Sequence, residues 1–222
     1  MTDEKDYLLN LLRFWQNNQK RILTIVGGIA VVIVGWFAYN QFVVEPNEQK
    51  AQETIYKAED YFAQDSSRKV LDGDGTSKGV LYVIKTYSGT KAANLAQFYA
   101  GVSYLKLGEF AKAVEHLNKF SSKSDPIQMV AYGALADAYS ELKKNDEAIA
   151  NYKKAASTFT VDELTSADYL WRAAQLCETI NKPKEALEFY KQIKKDFPKA
   201  KQGEIDKYIY RLSIEKNDFS VN

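Results

Sequence analysis

The sequence predicts an all-α protein: a single N-terminal transmembrane helix, then an α-solenoid of about three helical-hairpin repeats between atypical capping helices. Two observations carry that expectation. Ile22 to Val44 is a run of 23 residues without a charge, bounded by Lys20-Arg21 and by Glu45. Beyond it, a 27-residue pattern recurs three times with small residues at fixed places.

The uncharged run comes first in the chain. At a rise of about 1.5 Å per residue a helix of this length spans roughly 35 Å, slightly more than the hydrocarbon of a bilayer. A cleaved signal peptide would carry an apolar core of about 7 to 15 residues ending at a small-residue cleavage site. Here the core runs from Ile22 to Ala38 and ends in Trp36-Phe37-Ala38-Tyr39, which is too bulky to cleave well. The segment therefore reads as an uncleaved anchor over residues 22–44, with Trp36 and Tyr39 suited to an interfacial aromatic belt. Thr24 and Gly28 form a small-xxx-small pair that could pack on a neighbouring membrane helix.

Flanking charge sets the expected orientation. Lys5, Arg13, Lys20 and Arg21 precede the span, whereas Lys50 and Lys57 lie among Glu45, Glu48 and Glu53 after it. The positive-inside rule keeps residues 1–21 in the cytoplasm of an inner-membrane protein and exports residues 45–222 to the periplasm. Leu8, Leu11, Leu12 and Trp15 make an apolar stripe. It suits either a helix lying in the inner headgroups or a continuation of the membrane helix.

The repeats follow. Unit one is Asn94 to Phe120, unit two Met129 to Ala155 and unit three Ala167 to Ile193. Position eight holds Gly101, Ala136 and Ala174; position twenty holds Ala113, Ala148 and Ala186. Two antiparallel helices approach closely only where side chains are small, which places Gly101 against Ala113 within unit one. Tyr104, Tyr139, Tyr152 and Tyr190 are bulky enough to fill the gaps to the next helix. Gly108 ends the first helix of unit one, Pro183 opens the second helix of unit three, and Pro198 stops it. Repeat spacings of 35 and 38 residues, with this small-residue pattern, resemble the tetratricopeptide repeat family.

The flanking segments complete the solenoid. Glu45 to Gln64 reads as a polar helix with Ile55, Ala58, Tyr61 and Phe62 on one stripe. Ser66 to Lys78 reads as a loop, Val80 to Tyr87 as a helix pairing with the first, and Gln202 to Glu215 as a closing cap.

Charge and motif content narrow the function. The chain has 30 basic and 29 acidic side chains, and removing the first 44 residues leaves 26 of each. A neutral exported part argues against nucleic-acid binding, which needs a positive field. The lone Cys177 cannot form an internal disulfide and sits in a helical pattern, as a buried free thiol does. The only histidine, His116, is two units away from it. Asp72-Gly73-Asp74-Gly75 starts like a calcium loop, but Lys85 stands where the distal carboxylate belongs. No phosphate loop, metal-ligand spacing or catalytic constellation appears, so no enzyme, cofactor or metal is expected.

Binding is the better expectation. In tetratricopeptide-like folds, positions two, five, nine and twelve of the first helices line a concave face. In this chain that places Leu95, Phe98, Val102 and Leu105; Val130, Gly133, Asp137 and Ser140; and Asp168, Trp171, Gln175 and Glu178 there. The lysine and asparagine that clamp a carboxyl terminus in some relatives are replaced by Phe98 and Val102, which argues against that mode. Leu95, Phe98 and Val102 equally suit packing on the preceding helices. Trp171, with polar Asp168 and Gln175 around it, is the expected exposed aromatic.

A short tail, one anchor and an exported repeat domain, in that order, resemble the membrane-anchored ancillary subunit of the bacterial Sec translocon. Leu71 to Phe120, including Tyr87 to Ala93, is the part most similar to versions from the Bacteroides and Flavobacterium group. The resemblance implies contact with translocon subunits beside a periplasmic prolyl isomerase-type chaperone, and a role in maturing exported polypeptides. An envelope scaffold that joins folded partners is the alternative.

Overall fold

The computed structural model describes residues 2–200 and 203–215, with side chains over 13–200 and 203–214. It is all-α: eleven α-helices and one π-helical turn among the described residues, with a lone β-bridge between Gly73 and Lys78. The chain divides into two compact units between Lys50 and Ala51.

The described residues of the N-terminal unit are helical throughout. Helix α1 (Thr2–Tyr39) passes through a π turn (Asn40–Val44) into helix α2 (Glu45–Ala63). Pro46 explains the turn: in a regular α-helix its ring would meet the carbonyl of Phe42, and a widened turn just before it relieves that clash. The helix is long and apolar enough to cross a membrane, and its apolar window is unburied. Trp36, Phe37 and Tyr39 are all exposed. The side chains of Leu8, Leu11 and Leu12 lie outside the described residues.

In the second unit, α2 contributes Ala51, Ile55 and Ala58 to the core. The loop expected from Ser66 to Lys78 is corrected in part, because Ser67–Asp72 forms helix α3. Val70 and Leu71 are fully buried and draw that segment into a turn of helix; the glycines begin only at Gly73. Helix α4 (Val80–Thr86) packs mainly on α3 and on α5 (Lys91–Lys106), not along α2 as expected. The Thr90 hydroxyl caps α5, accepting from the Ala93 amide at 3.0 Å.

Three antiparallel hairpins follow. They are α5 with α6 (Phe110–Leu117), α7 (Asp125–Glu141) with α8 (Asn145–Thr158), and α9 (Glu163–Thr179) with α10 (Pro183–Asp196). Helix α11 (Glu204–Glu215) packs on α10; Gln202, the expected start of this cap, lies outside the described residues. Each hairpin turns at unit position fifteen on a left-handed residue: Gly108 (φ 75°), Lys143 (φ 60°) and Asn181 (φ 60°). The next amide donates to the carbonyl of position eleven in all three: Glu109 to Tyr104, Lys144 to Tyr139, Lys182 to Cys177. That is a Schellman motif repeated three times.

The small positions are buried as expected: Ala113, Ala136, Ala148, Ala174 and Ala186 are all fully shielded. One partner differs. A Cβ on Gly101 would sit 2.4 Å from Leu117 Cγ, so Gly101 makes room for Leu117, one turn beyond Ala113. The core forms two clusters, one spanning α2 to α7 and one α7 to α11. Helix α7 serves both, with Ala131 and Ala138 facing the first and Met129 and Ala136 facing the second.

Candidate functional site

Position five of each first helix faces a neighbouring helix, not a groove. Phe98 is buried among Phe62 of α2 and Phe120, with ring centroids at 6.4 and 5.3 Å. Gly133 lies under the next unit, where an added Cβ would stand 2.3 Å from the Tyr169 ring. Trp171, only 7% exposed, is packed edge-on against Tyr190 (5.3 Å) and Tyr208 of α11 (4.7 Å). The expected exposed aromatic at Trp171 is therefore corrected: α11 covers it. In unit one, Leu95, Val102 and Leu105 are half-buried on the first core cluster, so the packing alternative describes them.

The polar positions are drawn together. Asp137 accepts the Tyr152 hydroxyl at 2.5 Å and the Arg172 guanidinium at 3.2 Å; Arg172 also donates through Nε to Asp168 at 2.9 Å. One unit further on, Glu178 accepts the Tyr190 hydroxyl at 2.8 Å and pairs with Arg211 of α11. The same arrangement thus occurs twice. A carboxylate on the first helix meets the position-twenty-four tyrosine of its own unit and an arginine from the next first-type helix. Unit one has Leu117 at position twenty-four and apolar Val102 and Leu105 opposite, so the ladder begins at unit two.

Electrostatics make this ladder a structural device. Burial first, and the carboxylate hydrogen bond second, push the Tyr152 and Tyr190 phenols far above their ordinary value, so both remain proton donors. Burial opposes the charge on Arg172, but Asp137 and Asp168 more than offset it. Charge-assisted bonds of this kind fix the register between successive units. Tyr208 belongs to the expected closing cap, whereas Arg172 and Arg211 carry no expectation from the sequence. The spacing Asp137–Arg172 is nearly repeated by Glu178–Arg211, and is the signal that could have found them.

Among the exposed residues of α7 and α9 are Val130 (44%) and Leu164 (70%) near the helix starts and Gln175 further along α9. Ser140 is half-buried.

Other reactive types are occupied in the fold. Cys177 is fully buried and burial pushes its thiol up to about 11. His116 stacks on Tyr104 at 5.3 Å with Nδ1 2.7 Å from Gln97 Oε1; burial holds it below its ordinary value. The Asp74 carboxylate takes the amides of Ser77 and Thr76 and the Tyr61 hydroxyl, which hold it at about 2. Among the described residues no three His, Cys, Asp or Glu side chains converge as a metal site. In the apolar helix, the Thr24 hydroxyl donates to its own Lys20 carbonyl at 2.9 Å, and nothing lies within 4 Å of a Cβ placed on Gly28.

The family model of the tetratricopeptide repeat-like domain matches residues 12–163. The matched stretch takes in the apolar helix and the first two units and ends where α9 begins. No match to a curated protein was found.

Proposed function

The chain belongs to the tetratricopeptide repeat-like domain family, and from that premise we propose a membrane-anchored, non-enzymatic protein-interaction module associated with the Sec translocon that assists exported proteins. The observation that carries this reading is the joining of two parts. An unburied apolar helix is followed in one chain by a repeat solenoid whose histidine, cysteine and buried tyrosines are committed to packing. The anchor holds the solenoid at the periplasmic face of the inner membrane. Exported polypeptides meet it along the exposed parts of α7 and α9, where Val130 and Leu164 offer apolar contact and Gln175 a polar one. Translocon subunits and a periplasmic prolyl isomerase-type chaperone are the partners, and Thr24 and Gly28 are the surface for a neighbouring membrane helix.

One observation favours a second reading. The Asp137–Arg172–Asp168 and Glu178–Arg211 pairs are already satisfied, and a rigid pre-ordered face suits one folded envelope protein. Crosslinking in intact cells, followed by purification of the full chain in mild detergent, separates the two. Channel subunits recovered together with many exported chains, the latter lost when export is blocked, support the first. A single folded partner in fixed ratio, indifferent to export, supports the scaffold and sinks the first.

A further inference from the structure

A groove of about 920 Å³ runs between α8 and α10, with Glu163 and Leu170 of α9 also lining it. Its floor is Ala156, Leu170 and Phe197. Its rim carries Lys153, Lys154 and Lys195 against two carboxylates, Glu163 and Asp196.

Three features make this more than a gap between helices. The volume lies near the upper end of the range for ligand-binding clefts, about 300–1,000 Å³. The three lysines are exposed, and none has an ion-pair partner among the described residues. Lys153 and Lys154 stand over the Phe189 and Tyr132 rings at 5.9 and 5.7 Å, contacts that leave their positive charge without a carboxylate. Finally, Gln192 and Thr160 line the groove, and their amide and hydroxyl groups can both donate to and accept from a peptide backbone.

We propose that the α8–α10 groove docks an acidic segment of a partner polypeptide, with an apolar side chain over Leu170 and Phe197 and carboxylates on Lys153, Lys154 and Lys195. The excess of cations over carboxylates on the rim selects for negative charge. The apolar floor selects for a peptide carrying a hydrophobic residue among its acids. Lysine ammonium groups on flexible stems suit carboxylates that are not held in one rigid geometry.

The test uses the full chain in detergent and a fluorescein-labelled peptide of alternating glutamate and leucine, read by fluorescence anisotropy. Saturable binding that weakens as salt rises is expected. The triple variant Lys153→Glu, Lys154→Glu, Lys195→Glu should weaken it by about tenfold or more. A control with the same charge change, Lys57→Glu, Lys85→Glu, Lys207→Glu, should weaken it by no more than about twofold. The neutral variant Lys153→Gln, Lys195→Gln should fall between them, and guards against misfolding of the reversed one. Equal losses in the triple and the control, or no saturation by about 1 mM peptide, would overturn the proposal. So would tighter binding of a lysine–leucine peptide, or equally effective competition by phosphatidylglycerol vesicles.

Discussion

Replacing Trp171 by alanine separates a binding aromatic from a structural one. In the fold its ring is closed off by Tyr190 and Tyr208 at 5.3 and 4.7 Å. Truncation leaves a cavity between α9, α10 and α11, and such Trp→Ala changes cost about 3–5 kcal/mol. For a domain of this size each kcal/mol lowers the melting midpoint by about 2–4 °C, so a fall of about 6–20 °C is expected. Tyr208 would lose its edge-on partner and α11 its seat, so near-ultraviolet dichroism should weaken as well. Thermal melts followed by circular dichroism on the detergent-solubilised chain read this directly. Gln175→Ala, an exposed change on the same helix, is the reference and should stay within about 0.5 kcal/mol. A Trp171→Ala protein that melts with the parent would refute the placement of α11 over α9.

Four further outcomes are expected. Gly133→Ala would drive a methyl group into the Tyr169 ring, so its melting point should fall by the equivalent of about 1–3 kcal/mol. Lys143→Gly should raise the midpoint by about 2 °C, because it relieves a left-handed lysine and glycine's extra unfolded freedom offsets only part of that gain. His116 is held below its ordinary value of 6.5, so the unfolded chain takes up the proton first. Stability is thus full above that pH and declines below it, and His116→Gln should flatten the decline in melts between pH 7 and 5. Cys177, buried with its thiol raised to about 11, should resist maleimide until denaturant opens the fold; rapid labelling of native protein would contradict its burial.

Much of the fold is legible in the sequence because its signals are local. An uncharged run needs no partner to be recognised, and Ala148 or Ala186 report a helix crossing wherever the partner lies. Pro183 and Pro198 mark helix ends by their own chemistry. The functional face was harder to read because its fate depends on distant helices. Trp171 has polar neighbours in sequence, yet Tyr208, 37 residues later, covers it. Asp137, Asp168 and Glu178 resemble free surface acids until Arg172 and Arg211 are placed opposite them. Gly133 carries no side chain from which the approach of Tyr169 could be foreseen. In the Gly73–Gly79 region the glycines gave the turn but hid α3, whose Val70 and Leu71 needed a core to fold against.

The central claim, a membrane-held module that binds polypeptide along α7 and α9, meets its most direct test in living cells. A photo-crosslinking amino acid placed at Val130 or at Gln175 samples that face, and one at Lys207 on α11 serves as the control. The expected result is adducts from both test positions to a translocon subunit or to exported chains, fading when export is blocked, with none from Lys207. Absence of adducts at Val130 and Gln175, in cells where the protein is folded and anchored, would contradict it.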